Sequence, residues 1–354
     1  MRVLILSHDD VHKALTPEEC ADAMATVLAG LARGEAFMPL RSVMAPPGAA
    51  GFMGLMPGWR GARPSGDEVS PAPDAHSSEH ALPEPPPPDK AVFALKAICL
   101  IPGNPARGLD AHQGIVTLFD GETGVPTAIL DASAVTEIRT AAVTAVATRE
   151  LARQDARALA ILGAGVQARS HLKALLKVRP FDHVRIYAPT EEHAHAVVDE
   201  APDTTAELSV APSAELAVSG ADVVVVATSS REPVMSREWL SIGAHVNAVG
   251  ASTPTAREID VQTVADSALF CDSRESLRNE AGEFLLAITE GAIPGEEHVR
   301  AELGEVLAGV KPGRSDDTEL TLFRSLGLAV EDLAAAEHAV AVARSHGIGT
   351  EVEL

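Results

Sequence analysis

The 354 residues contain only three cysteines, Cys20, Cys99 and Cys271. They lie far apart and are odd in number, which excludes a disulfide framework, and no pair has the spacing of metal ligands. Reduced thiols in a cytoplasmic protein are expected. Basic residues are scarce too: 28 Lys and Arg stand against 50 Asp and Glu, a formal net charge of -22. That balance argues against nucleic acid or an anionic membrane as partner. Long apolar runs are missing. The opening stretch, Met1 to Ser7, is too briefly apolar for a signal peptide, and nothing approaches the roughly 20 apolar residues of a membrane span.

What is present is enough apolar material for cores in two domains of ordinary size, at 46% hydrophobic residues. The most informative stretch runs from Ala160 to Ala168. It reads as a buried strand entering a Gly-x-Gly-x-x-Ala turn, with Gly163, Gly165 and Ala168 at the fixed places. Val166 and Gln167 lie between them, and a helix follows to Val178. Dinucleotide binding needs that order. One glycine makes the tight turn, and the second lets backbone approach a pyrophosphate. The small third residue packs helix on strand, and the helix N-terminus faces the phosphates.

Strands are expected at Leu159 to Leu162, Val184 to Tyr187, Asp222 to Ala227, His245 to Val249 and Ala268 to Cys271, with helical stretches between several of them. This is the pattern of a Rossmann-type doubly wound parallel sheet. The end of its second strand reports on the cofactor's 2′ position. An acid there would bind the ribose hydroxyls of NAD. The sequence instead reads Tyr187-Ala188-Pro189-Thr190, with no carboxylate to repel a 2′-phosphate. NADP is therefore favoured over NAD, with both left open.

The first half has other features. Val3 to Leu6 reads as a short strand. Thr16-Pro17-Glu18-Glu19 is a helix start, with Thr as N-cap, and the helix should run to about Arg33. Strand-like segments follow at Arg41 to Ala45, Gly51 to Met56 and Ala91 to Ile101. A hairpin is expected from Gly114 to Leu130, and a small-residue helix from Ala134 to Arg153. Residues 59 to 90, rich in Pro, Gly and Ser, read as a mobile loop or insertion, either a flexible lid near a site or, as the simpler reading, an insertion without function. His76 and His80 lie inside it. Their four-residue spacing suits metal on a helix, but not in such a segment, so no metal site is expected. Leu322 to His346 reads as mostly helical.

Lys96 interrupts an apolar strand, where an ammonium is costly to bury without a partner. A lysine snorkelling from an edge strand is the simpler alternative. Arg41 and Arg139 are further cations with the bidentate grip that a small carboxylate needs.

Several segments taken in order resemble the ornithine cyclodeaminase/mu-crystallin family. They are Pro39-Leu40-Arg41, Gly54-Leu55-Met56-Pro57, the Lys96 strand and Glu137-Ile138-Arg139-Thr140-Ala141-Ala142. The glycine turn, Val246-Asn247-Ala248-Val249-Gly250-Ala251-Ser252 and Glu319 to Asp332 complete the set. The resemblance covers nearly the whole chain outside residues 59 to 90.

The resemblance implies that Arg41 and Arg139 hold a substrate carboxylate and that Lys96 sits beside the reacting carbon and nitrogen. It places Thr140, Gly163, Gly165, Gln167 and Ala168 along the pyrophosphate, and Thr228, Val249, Gly250 and Ser325 nearer the ribose and nicotinamide. Where cyclodeaminases and alanine dehydrogenases of the family carry an Asp, this chain has Ser252. A serine hydroxyl is a poor general base at neutral pH without an activating partner.

The expected reaction is therefore NAD(P)H-dependent reduction of a small cyclic imino acid. Ornithine cyclodeamination or alanine deamination is the alternative, and a cofactor-loaded binding protein with little catalysis is a third. The implied organisation has a substrate-binding and dimerisation domain from 1–137 with 321–354, and a dinucleotide-binding domain from 138–320. A homodimer with its active site between domains is the expected state.

Overall fold

Ser7 and Thr16 each begin a helix in the same reciprocal way. In the computed structural model, which describes residues 1–61 and 90–354, Ser7 and Asp10 form a capping box that starts α1 (His8–Ala14). Thr16 and Glu19 form another that starts α2 (Pro17–Ala32), as the Thr-Pro-Glu-Glu run requires. The described chain divides into two compact units. One comprises Met1–Thr136, Leu307–Val310 and Ala329–Leu354; the other comprises Glu137–Val306 and Lys311–Leu328.

The first unit is built on an eight-stranded sheet. Its strands are β1 (Arg2–Leu6), β2 (Ala36–Phe37), β3 (Ser42–Met44), β4 (Phe52–Arg60), β5 (Val92–Leu100), β6 (His112–Asp120), β7 (Pro126–Asp131) and the C-terminal β16 (Thr350–Glu353). The order is β16-β1-β7-β6-β5-β4-β2, with β3 also on β4. The run from β4 to β7 is an antiparallel meander, while β1 lies parallel to β7. The C-terminal helix, Ala329–His346, covers one face by packing on β4, β5 and β6. Small residues let it come close: a Cβ on Gly58 would meet the Ala329 backbone at 3.2 Å. Met56, Ala94, Lys96, Val116 and Leu118 are the buried side chains of these three strands.

The second unit holds eight parallel strands: β8 (Ala158–Leu162), β9 (His183–Tyr187), β10 (Glu207–Val210), β11 (Val223–Val226), β12 (His245–Ala248), β13 (Ala268–Cys271), β14 (Val299–Glu302) and β15 (Thr321–Arg324). Their order is β10-β9-β8-β11-β12-β15-β13-β14. This is the doubly wound Rossmann-type arrangement, and the winding reverses between β8 and β11. Alternate residues enter separate cores: Ala160, Leu162, Val224 and Val226 join one, while Leu159, Ile161, Val223 and Val225 join the other. Burial on both faces explains the unbroken valines of β11.

Helix α3 (Ala132–Leu151) places Ala141 and Ala145 in the second of those cores. It also carries hydroxyls into the interior. Thr144 Oγ1 lies 3.0 Å from His171 Nε2, and Thr148 Oγ1 accepts from Asn247 Nδ2 at 3.0 Å. Helix α4 (Val166–Val178) follows the glycine turn.

Several expectations need correction. Thr321–Arg324 is not helical. It is a fully buried strand between β12 and β13, and the second unit continues to Leu328. Four apolar-flanked residues carry no period that separates a buried strand from a helix. Gly327, at φ 80, ends that stretch, and the helix begins only at Ala329. Trp59 and Arg60 are not loop; they complete β4 opposite Phe93 and Val92. The short strands β10, β14 and β16 were not foreseen. The mobile-insertion reading from residue 62 to 89, with His76 and His80, falls outside the described residues. Among the described residues, no helix is long and apolar enough to cross a membrane.

Candidate active site

Gly163 leaves β8 with φ 122, and its N–H donates to the Tyr187 carbonyl at 2.8 Å. A Cβ there would overlap the Ala227 carbonyl oxygen, so only glycine fits between the ends of β8 and β11. Gly165 differs. It has ordinary backbone angles (φ -79), and a Cβ there would meet nothing within 4 Å. Its surface is open space in front of α4. Gly165 is the N-cap of that helix, and no side chain caps it. The first-turn N–H groups and the positive end of the helix dipole therefore face this space, a setting that suits a pyrophosphate. Val166 is exposed beside it, while Ala168 is buried in the core. Gln167 Oε1 is buried without a hydrogen-bond partner among the described residues.

The other expected cofactor residues in this unit lie along the same edge of the sheet. Thr228 follows β11, Val249 and Gly250 follow β12, and Ser325 follows β15. These strands adjoin β8 in that order. Ser325 is 2% exposed, and its hydroxyl has no hydrogen-bond partner among the described residues. Ala188 and Thr190 follow β9; Ala188 is half-buried, and exposed Thr190 precedes the helix Glu191–Asp199. Thr140 is buried on α3. These positions, the open helix terminus and the orphaned Ser325 hydroxyl fit a dinucleotide laid across the strand ends.

Two buried ionic groups behind this edge were not foreseen. Glu258, 1% exposed, accepts from the Thr228 N–H at 2.6 Å, the Thr228 hydroxyl at 2.7 Å and the Ala251 N–H at 2.8 Å. Burial pushes its carboxyl up to about 7, against the opposing pull of the Thr228 bonds and Arg324. Arg324 pairs with Glu283 and donates to the carbonyls of Ala248, Ser325 and Ala251. Neither residue stands out in the sequence. Only the sheet order reveals that they are interior.

Asp272, at the end of β13, accepts from the N–H groups of Leu326 at 2.5 Å and Gly327 at 2.7 Å. That loop backs onto Arg139: a Cβ on Gly327 would come within 2.7 Å of its guanidinium. Arg139 is itself 5% exposed. Ser252 is exposed on the loop after β12. Between Val249 and Glu258 the only carboxyl is Glu258, and it is turned inward.

In the first unit, Lys96 is no snorkelling side chain. Its Nζ lies 3.0 Å from Asp332 Oδ1, and both residues are buried. Lys96 pairs with Met56 across β5 and β4, and Asp332 comes from the first turn of the covering helix. Arg41 is half-buried immediately before β3, whose Ser42 pairs with Leu55 next to Met56.

Comparison with known proteins settles the kinship. The family model for the ornithine cyclodeaminase/mu-crystallin family matches residues 77–345. The chain belongs to this family. It is 36% identical over 304 residues to the ketimine reductase mu-crystallin of Mus musculus, covering 86% of this chain and 84% of that one. Among solved structures it is similar to the Delta(1)-pyrroline-2-carboxylate reductase of Thermococcus litoralis in complex with NADH and L-proline. The TM-score is 0.86 at 34% identity, over 99% of this chain and 100% of that one. An archaeal alanine dehydrogenase dimer with bound NAD superposes with the same TM-score at 31% identity, over 100% of both chains. The fold of the family is thus common to proteins named for imine reduction and for amine oxidation.

Proposed function

We propose that this family member is an NAD(P)H-dependent reductase of small cyclic imino acids, of the pyrroline- or piperideine-2-carboxylate class. The observation that carries the choice is the loop after β12. It presents Ser252 to solvent, while its Glu258 is buried and engaged by three donors and Asp260, at its end, caps the next helix. No carboxylate of that loop is placed to activate water or to take a proton from a substrate amine. Reduction of an imine needs neither.

The nicotinamide, when bound, supplies the hydride. The protein binds, orients and moves one proton. Arg41 and Arg139 hold the carboxylate, each offering a planar fork. Lys96 carries a proton on Nζ, and Asp332 at 3.0 Å balances its charge. An ammonium repels an iminium ion, so Lys96 serves as proton donor to the neutral imine nitrogen. Ser252 offers a hydroxyl to the substrate's polar edge. With Ala188 where an acid would select NAD, NADPH is the favoured form and NADH is tolerated. The two units supply the substrate-binding and the dinucleotide-binding domain respectively, and Cys20, Cys99 and Cys271 form no disulfide, which fits a cytoplasmic setting.

A homodimer belongs to this reading. Among the described residues, the face of the first unit's sheet opposite the C-terminal helix leaves Met53, Leu55, Phe93 and Ile115 exposed. Ile115 pairs with Ala97, and Ala97 with Leu55, so they form a row. A continuous apolar row is a surface for a second copy of this chain.

The test is oxidation of NADPH and NADH in the presence of pyrroline-2-carboxylate, piperideine-2-carboxylate, or pyruvate with ammonia. Turnover of a cyclic imine is the expected result. No oxidation with either imine, or ornithine turnover with ammonia release at catalytic NAD, overturns it.

A further inference from the structure

Glu258 joins two loops through the two oxygens of one side chain. Oε1 accepts from the N–H and hydroxyl of Thr228, which follows β11, and Oε2 accepts from the N–H of Ala251, which follows β12. The carboxylate sits directly behind Gly250, where a Cβ would come within 2.5 and 2.7 Å of its two oxygens. Both loops lie at the strand ends where an open α/β sheet binds its ligand. All three partners are donors. An ionised carboxylate satisfies them all, whereas a protonated one carries its own O–H and must give up or reverse at least one bond.

We propose that Glu258 is a positioning residue for the dinucleotide: its carboxylate sets the spacing between Thr228 and Gly250-Ala251 that the cofactor's ribose and nicotinamide end occupies. The proposal rests on the dinucleotide site argued above. Glu258 acts through the backbone of its partners and need not touch the cofactor. The charged groups around it are few. Arg324 approaches from the end of β15 and favours the ionised form. Glu283, on the helix Gly282–Thr289, pairs with that guanidinium and weakens its effect. Burial raises Glu258 to about 7, so the tether forms and loosens around neutral pH.

The experiment is fluorescence titration of the full chain with NADH and NADPH from pH 6 to 8.5, for the wild type, Glu258→Gln and Glu258→Asp, with circular dichroism as a check on folding. Wild-type affinity should fall as pH drops through the region of 7. Glu258→Gln should bind about tenfold more weakly at pH 8, the effect of losing one hydrogen bond to a charged group, with a flat pH profile. Glu258→Asp keeps the charge but shortens the reach, so it should bind more weakly while retaining the pH dependence. A role in stability alone would lower the melting temperature of Glu258→Gln without flattening the profile. Wild-type affinity and wild-type pH dependence in Glu258→Gln overturn the proposal. If that variant does not fold, an unchanged affinity in Glu258→Asp does so. A wild type that binds neither NADH nor NADPH defeats the dinucleotide reading itself, which separates the two failures.

Discussion

Lys96 Nζ and Asp332 Oδ1 stand 3.0 Å apart with both side chains essentially out of solvent. A strand residue and a residue of the covering helix are thus held together by an ion pair away from solvent. Removing one partner takes that counter-charge from the other, and breaking a buried pair in this way costs about 3 kcal/mol or more. Asp332→Ala should therefore lower the melting temperature sharply. Lys96→Met fills the same space but leaves Asp332 free to take up a proton, so it should cost less stability and still abolish imine reduction. Thermal melts with NADPH oxidation assays distinguish the two. Full activity in a folded Lys96→Met removes Lys96 from the proposed chemistry.

The two glycines of the turn should fail differently. Gly163→Ala forces a side chain onto a backbone at φ 122 and into the Ala227 carbonyl. It should lower stability by on the order of 1–3 kcal/mol, visible in urea melts without any ligand. Gly165→Ala meets no protein atom, so its melt should match the wild type. Its Cβ instead fills the space in front of α4, and NADH affinity should drop by about tenfold or more. Equal losses of stability in both variants would show that Gly165 has a structural role.

The Rossmann-type sheet was legible because its signal is local. A glycine turn and four-residue apolar strands follow one another at short spacing, and each strand needs only its own residues to be recognised. What was hidden depends on sheet order. Thr321–Arg324 is central because it inserts between β12 and β13, and no pattern within four residues states that. Arg324 looks like a surface arginine until its neighbours on both sides are known. The same holds for Glu258, whose partners are 30 and 7 residues away. Lys96 was visible as an anomaly in an apolar strand, but its partner, 236 residues on, was not.

Acid should destabilise the protein through two buried histidines. Burial holds His171 at about 4 and His245 at about 3, so both are neutral in the native state. Unfolded, they take protons near the usual 6.5. Their contribution is complete above that value and is lost as pH falls toward 4, on the order of 3 kcal/mol for His171. Glu258 works oppositely. Its raised carboxyl contributes stability below about 4.5 that disappears as pH rises to about 7. Urea unfolding from pH 4.5 to 7.5 should show stability rising with pH, and more steeply in Glu258→Gln. The double variant His171→Asn with His245→Asn should lose most of the slope; an unchanged slope would mean that other groups set it.

The exposed face of the first sheet predicts how the protein associates. Leu55, Ala97 and Ile115 stand side by side on β4, β5 and β6, and Phe93 adds an aromatic ring four residues along β5 from Ala97. Phe93 is 46% and Ile115 45% exposed in the single chain, large values for side chains in the middle of a sheet. Burying such a row against its symmetry mate removes apolar area from water on both copies, at roughly 25 cal/mol for each Å². A glutamate in the row would face its own copy across the two-fold axis, where like charges in a desolvated setting repel. Leu55→Glu and Ile115→Glu should therefore convert a dimer into a monomer, read by light scattering after size exclusion. Circular dichroism should be unchanged, since the opposite face of the sheet carries the core. A wild type that runs as a monomer, or a double variant that stays dimeric, removes this face as the interface.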